Sequence, residues 1–201
     1  ISATAGYFSN VGQTRRQGIE LGVHGNISRF DYAANLSWIE ATYQSTFTLA
    51  NAANSTCSGS VSTCPSNKIG DKIPGIPEGV LKLKLGYAIS DTSRIGMSVH
   101  AQGAQYARGD ENNQDANGKI RGYTLVHLDG SYDFGGGFQL FVRVQNLFDK
   151  DYAQVAFNTP FQAGTTSAPF TDANHYPGGR QLFSQFLGEP RTYGVTLRGK
   201  F

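Results

Sequence analysis

The stretch FQLFVRVQNLFDKDY, residues 138–152, changes character in its middle. In an extended chain Phe138, Leu140, Val142 and Val144 fall on one face, and Gln139, Phe141, Arg143 and Gln145 on the other. A period of two marks a β-strand lying between two unlike environments. The alternation then stops at Asn146-Leu147-Phe148-Asp149. Asn and Asp side chains bond nearby backbone groups and so compete with a strand ladder. A strand is therefore expected to end here, at an edge with its own chemistry.

The same rhythm extends outward in both directions. YTLVHLDGSYDF (123–134) sets Thr124, Val126, Leu128, Tyr132 and Phe134 against Tyr123, Leu125, His127, Asp129 and Asp133. VLKLKLGYAIS (80–90) sets Leu81, Leu83, Leu85, Tyr87 and Ile89 against Lys82, Lys84 and Ser90. RIGMSVHAQ (94–102), QGIELGVHG (17–25), FDYAANLSW (30–38) and TYGVTLRGKF (192–201) alternate likewise. Strands are expected near 6–25, 30–47, 78–90, 93–106, 120–134, 137–148 and 190–201, seven in all. No long amphipathic helix is expected between them.

The joins alternate short and long. Asn26 to Arg29, Asp91-Thr92 and Gly135-Gly136 are tight-turn compositions, whereas 48–77, 107–119 and 149–189 are long and rich in Asn, Gly, Ser, Thr and Pro. Loops of this length are uncommon in compact soluble domains. They are normal on one side of a transmembrane barrel, whose other side carries short turns.

Mean hydropathy is −0.34, and no run of about eighteen apolar residues suits a membrane-spanning helix. Alternating strands average to neutral hydropathy even when they cross a bilayer, so the low value does not exclude a barrel. The 17 Lys and Arg are scattered against 15 Asp and Glu, leaving a net charge of +2; a nucleic-acid binder would gather them in a run or on one face. Two lysines turned into an apolar core are costly, whereas Lys82 and Lys84 suit a wet lumen. A soluble antiparallel sandwich, such as a carbohydrate-binding domain, remains the competing reading; it would bury Leu81, Leu83, Leu85, Tyr87 and Ile89 in its core.

NLFDKDY resembles the NLFD..Y motif of TonB-dependent outer-membrane receptors. TRRQGIELG (14–22), IPGIPEGVLKLKLGY (73–87), QYARGDENN (105–113), GYTLVHLDGSY (122–132) and the terminal Phe201 are similar to further motifs of that family, in its usual order. Gly199 departs from the bulky residue usual at its position. The resemblance implies an all-β, antiparallel transmembrane β-barrel, with residues 1–201 forming the C-terminal seven strands of a plugged barrel of about 22. No signal peptide, plug or TonB box is expected within this chain. The family imports scarce ligands such as ferric siderophores, haem or cobalamin. The resemblance thus implies a bacterial outer-membrane receptor whose partners are lipid, a plug domain of the same receptor, TonB and a ferric siderophore or related iron complex. A small free-standing barrel with a structural or adhesion role is the alternative. The resemblance further puts the NLFD motif at the outer rim, ending the penultimate strand, with Phe148 and Tyr152 in the interfacial aromatic belt.

Cys57 and Cys64, within CSGSVSTC, are expected to form a disulfide clipping the first long loop, because the periplasm is oxidising. The second long loop gathers Arg108, Asp110, Glu111, Asn112 and Asn113 with Asp115 and Lys119. The first five are the ligand-contact candidates, since loops carry function disproportionately; the alternative is a solvated loop. The calcium-loop spacing is absent. Glu20, Lys82, Lys84, Asp129, Arg143 and Gln145 fall on lumen faces and are candidates for plug contact. His24, His100 and His127 share those faces and His175 lies in the last loop; barrel topology does not by itself bring the first three together, so contact with a plug or water is expected, with a haem or metal role as the alternative. No catalytic triad or carboxylate pair emerges, so neither catalysis nor a cofactor is expected.

Overall fold

The computed structural model describes residues 12–48, 54–56, 65–159 and 182–200. Among them are eleven strands and no helix. These are β1 (Thr14–Ile27), β2 (Phe30–Tyr43), β3 (Gly79–Ala88), β4 (Ser93–Gln102), β5 (Gln105–Tyr106), β6 (Lys119–Ile120), β7 (Tyr123–Gly135), β8 (Phe138–Gln145), β9 (Ala153–Thr159), β10 (Leu182–Leu187) and β11 (Thr192–Gly199). Seven of them form one antiparallel sheet in the order β1-β2-β3-β4-β7-β8-β11, each expected strand pairing with its neighbour in the chain. The four short additions are pairs, β5 with β6 and β9 with β10. β5 falls within the expected strand 93–106 and β6 straddles the start of the expected strand 120–134, each pairing off from the main sheet, whereas β9 and β10 arise where only loop was expected.

Register carries the two-faced pattern across the sheet. Leu36, Leu81, Ala101 and Thr124 are successive partners, as are Tyr32, Leu85, Met97, Leu128, Val144 and Tyr193. The opposite face carries Asn35, Lys82 and His100 in one row. Another row there runs Asp31, Gly86, Gly96, Asp129, Arg143 and Gly194. A shift of one residue would invert every side chain, so six consistent pairings define two surfaces, one apolar and one polar.

The apolar surface is not a core. Ile19 is 60% exposed, Trp38 47%, Tyr87 46% and Val195 74%, values opposed to those of a sandwich interior. The soluble sandwich is excluded on that ground: Leu81, Tyr87 and Ile89 lie on a bare face, with no second layer among the described residues. Burial is concentrated at the long-loop end, where Ala107, Ile120, Ala153 and Ala156 form a small cluster.

The two ends of the sheet differ sharply. At one, Ser28-Arg29, Ser90 to Thr92 and Gly136-Gly137 make tight turns, with Ser28 at φ 55° and Gly136 at φ 62°. The long connections gather at the other. β1 and β11 are the two edges and pair with nothing on their outer sides among the described residues.

Candidate functional site: the polar wall and the loop layer

The polar wall is built around a glycine notch. Gly86 and Gly96 are register partners between β3 and β4. A side chain on Gly86 would run into the Arg94 guanidinium and the Asp31 carboxylate, which form an ion pair above it. One on Gly96 would come within 2.6 Å of Asp129. The glycines thus hold a shelf on which Asp31, Arg94 and Asp129 lie across the strands. Arg143 continues this row as register partner of Asp129. The candidates Glu20, Lys82, Lys84, Asp129, Arg143 and Gln145 all take the polar face by register. Thr192 donates its hydroxyl to Gln145 Oε1 at 3.1 Å.

The histidines of this wall are not gathered into a metal site. His127 Nδ1 accepts the Asn146 N–H at 3.0 Å. His100 meets the edge of Tyr123, with centroids 5.9 Å apart. His24 stands on β1, two strands away from β3. His175 lies outside the described residues, as do Cys57, Cys64 and Phe201.

The NLFDKDY segment works as a clasp. Asn146 and Asp149 take left-handed conformations, φ 48° and 51°, which Asn and Asp tolerate better than most side chains. The Asn146 side chain is buried. Its Nδ2 donates to the carbonyls of Lys150 at 3.0 Å and Glu189 at 3.1 Å, while Oδ1 accepts from Lys150 N–H at 2.8 Å. Asp149 Oδ1 accepts from Arg191 N–H at 2.9 Å. The motif therefore ends β8 and anchors the start of β11 at once. Phe148 stands 72% exposed beside the outward Thr124 and Val126. Tyr152 departs from the expectation. It turns to the inner side and packs against Tyr123, the rings tilted at 47° with centroids 4.5 Å apart, because Gly188, whose N–H bonds Tyr152 carbonyl at 2.9 Å, leaves room for its ring.

The loop layer is knitted rather than merely solvated. Asp110 is fully buried. Its Oδ1 accepts the N–H groups of Gln114 at 2.9 Å and Asp115 at 3.0 Å, and Oδ2 has no hydrogen-bond partner. Burial pushes this carboxyl up to about 6, against the pull of those two N–H groups. Glu111 is also raised, chiefly by burial. Asn112, buried too, donates to Thr56 Oγ1 at 2.9 Å. Asn113, at φ 57°, brackets Lys72: its Oδ1 accepts Lys72 N–H at 2.6 Å and its Nδ2 donates to Lys72 carbonyl at 3.0 Å. Arg108 joins the third loop through backbone bonds to Ala156 and Asn158, and its guanidinium lies over the Phe157 ring. Of the five loop candidates Arg108 is the exposed one. Sequence reading missed Lys72, which ion-pairs with Glu40 and Glu78 at 3.3 Å each. Nothing in the local sequence joins those three positions.

A sheet with one apolar, uncovered face, one charged face, tight turns at one end and layered loops at the other is the wall of a transmembrane β-barrel. Residues 1–147 match the family model of the TonB dependent receptor-like β-barrel, and the chain belongs to that family. Solved structures agree on the fold. The siderophore receptor PiuA from Acinetobacter baumannii is similar at 17% identity and TM-score 0.65, over 94% of this chain and 22% of that one. The ferric-catecholate import receptor Fiu from Escherichia coli K12, in its closed form, is similar at 21% identity and TM-score 0.64, over 98% and 22%. The copper transporter OprC is similar at 18% identity and TM-score 0.57, over 94% and 24%. The chain thus spans less than a quarter of the lengths of these barrels.

Proposed function

We propose that this chain is the C-terminal section of an outer-membrane receptor that imports a scarce ligand, a ferric siderophore or related iron complex, with energy delivered by TonB. The observation that carries the reading is the family match over residues 1–147. Several structural neighbours are siderophore and ferric-complex receptors, which favours iron over other cargo. β1 and β11, whose outer sides pair with nothing among the described residues, speak against a self-contained seven-stranded barrel, because open backbone groups in lipid cost several kcal/mol each.

On this reading the polar wall faces a plug, with Asp129 and Arg143 beside the glycine notch and Lys82 and Lys84 further along. Arg108 is the loop candidate placed for direct ligand contact, and Asp110, Asn112 and Asn113 shape the loops around it. The chain carries out transport, not catalysis. The test is uptake of a labelled ferric siderophore by iron-starved cells that express the full-length protein. Uptake that requires both this protein and TonB supports the reading. Uptake of copper with no ferric complex, or uptake indifferent to TonB, sinks it.

A further inference from the structure

The polar wall differs from strand to strand. Across β7, β8 and β11 it is cut by a furrow of about 700 Å³, lined from Gln145 and Thr192 near the long-loop end down to Arg94 and Phe141. A second depression of about 270 Å³ shares Arg94, Ser131 and Phe141 with it and continues to Asp133 and the tight turn at Asp91-Thr92. Register orders the levels: Gln145 beside Thr192, then Arg143 between Asp129 and Gly194, then Phe141 between Ser131 and Thr196, then Gln139 beside Asp133. The two depressions therefore make one furrow running the height of the wall on its polar face.

This strip satisfies its own polar groups. Arg94 pairs with Asp31, Gln139 donates to Asp133 Oδ2 at 3.0 Å and Thr192 donates to Gln145 Oε1 at 3.1 Å. Lys82 and Lys84 on β3, by contrast, have no ion-pair partner among the described residues. The middle of the furrow is also low, because Gly194 leaves open space where a side chain would stand and Gly96 lets Asp129 lie across it. A strip that anchors a neighbour needs unpartnered charges. One that lets a polar solute pass needs groups that wet it and hold it weakly.

We propose that this furrow is the wall side of the passage taken by the imported complex, which moves between plug and wall along β7, β8 and β11 while Lys82 and Lys84 hold the plug. The proposal rests on the import reading and adds where the cargo runs. The lining suits a hydrated complex with donors and acceptors on its surface. Arg143 and Asp129 stand at one level and Arg94 at the next, and the Arg198 guanidinium lies over the Phe141 ring at 5.5 Å, so no level is wholly apolar.

The test uses the full-length receptor in iron-starved cells and a labelled ferric siderophore, with substitutions at Gly194. Alanine puts a methyl group into open space and is expected to keep wild-type uptake. Tryptophan puts a rigid ring system of roughly 250 Å² into the furrow without meeting the wall. G194W is expected to lower the maximal uptake rate about tenfold, while surface binding, measured in cells without TonB, stays at the wild-type level. A G194W rate equal to wild type overturns the proposal. So does loss of surface binding in step with uptake, which would place Gly194 in ligand capture rather than passage. Electrophoretic mobility with and without heating reports barrel formation; should G194W lack the heat shift, Thr196→Trp, the next inward position on β11, carries the same block and the same refuting outcomes. Wild-type cells that take up no ferric complex, or do so without TonB, overturn the import reading itself, and that failure is told apart because it needs no variant.

Discussion

Replacing Asn146 by alanine in the full-length protein removes three hydrogen bonds from a buried site, two donated to Lys150 and Glu189 carbonyls and one accepted from Lys150 N–H. At about 1 kcal/mol net each, their loss destabilises the clasp by roughly 3 kcal/mol. Alanine must also hold φ 48°, which costs about 1 kcal/mol more than an ordinary conformation. The expected total is therefore about 4 kcal/mol, close to three powers of ten in local opening. Asn146→Gly separates the two contributions: it loses the bonds but accepts the left-handed backbone, and is expected to recover about 1 kcal/mol. Hydrogen exchange of the Lys150, Gly188 and Arg191 amides is the assay, since each is bonded within or beside the clasp. Protection unchanged within about half a kcal/mol in N146A would refute the reasoning, because buried partners left unmatched cannot be that cheap. Equal losses in N146A and N146G would leave the bonds standing and remove the backbone contribution.

Gly188→Ala puts a methyl group into the Tyr152 ring and is expected to cost about 1 to 3 kcal/mol by overpacking, read as a lower unfolding midpoint and altered tyrosine fluorescence from the tilted Tyr123–Tyr152 pair. A wild-type midpoint would show that the ring has room to move. Asp110 binds its proton more tightly folded than unfolded, because burial raises its carboxyl to about 6 from the ordinary range near 4. Its contribution is full below the unfolded value and lost as pH rises through about 6, so amide protection at Gln114 and Asp115 is expected to fall between pH 4 and 7 by about 3 kcal/mol at most. Asp110→Asn keeps the Oδ1 acceptor and is expected to flatten that profile; an equally steep profile in the variant would assign the titration elsewhere, to Glu111, whose carboxyl burial also raises. Gly86→Val is expected to dislodge the Asp31–Arg94 pair from its shelf, and a crystal structure of the variant with that pair intact would contradict the steric account.

Much of the architecture was written locally. A strand's inner and outer faces repeat every two residues, so each of the seven strands of the main sheet, its two surfaces and the short-long order of its joins could be read from alternation and turn chemistry alone. The NLFD stop was legible for the same reason, since Asn and Asp end a ladder using their own short side chains. The rest depended on which distant residues meet. Nothing near Asp110 in the chain announces that Asn54 and Lys72 will close over its loop, and nothing near Tyr152 announces Gly188, whose missing side chain turns the ring inward. Lys119, Arg121 and Lys150 likewise become one charged cleft only when the hairpins fold. Strand patterning follows from backbone geometry repeated along a single segment. The loop layer, the clasp and the cleft follow from contacts between segments tens of residues apart, whose geometry is decided only when the register of the whole sheet brings them to the same rim.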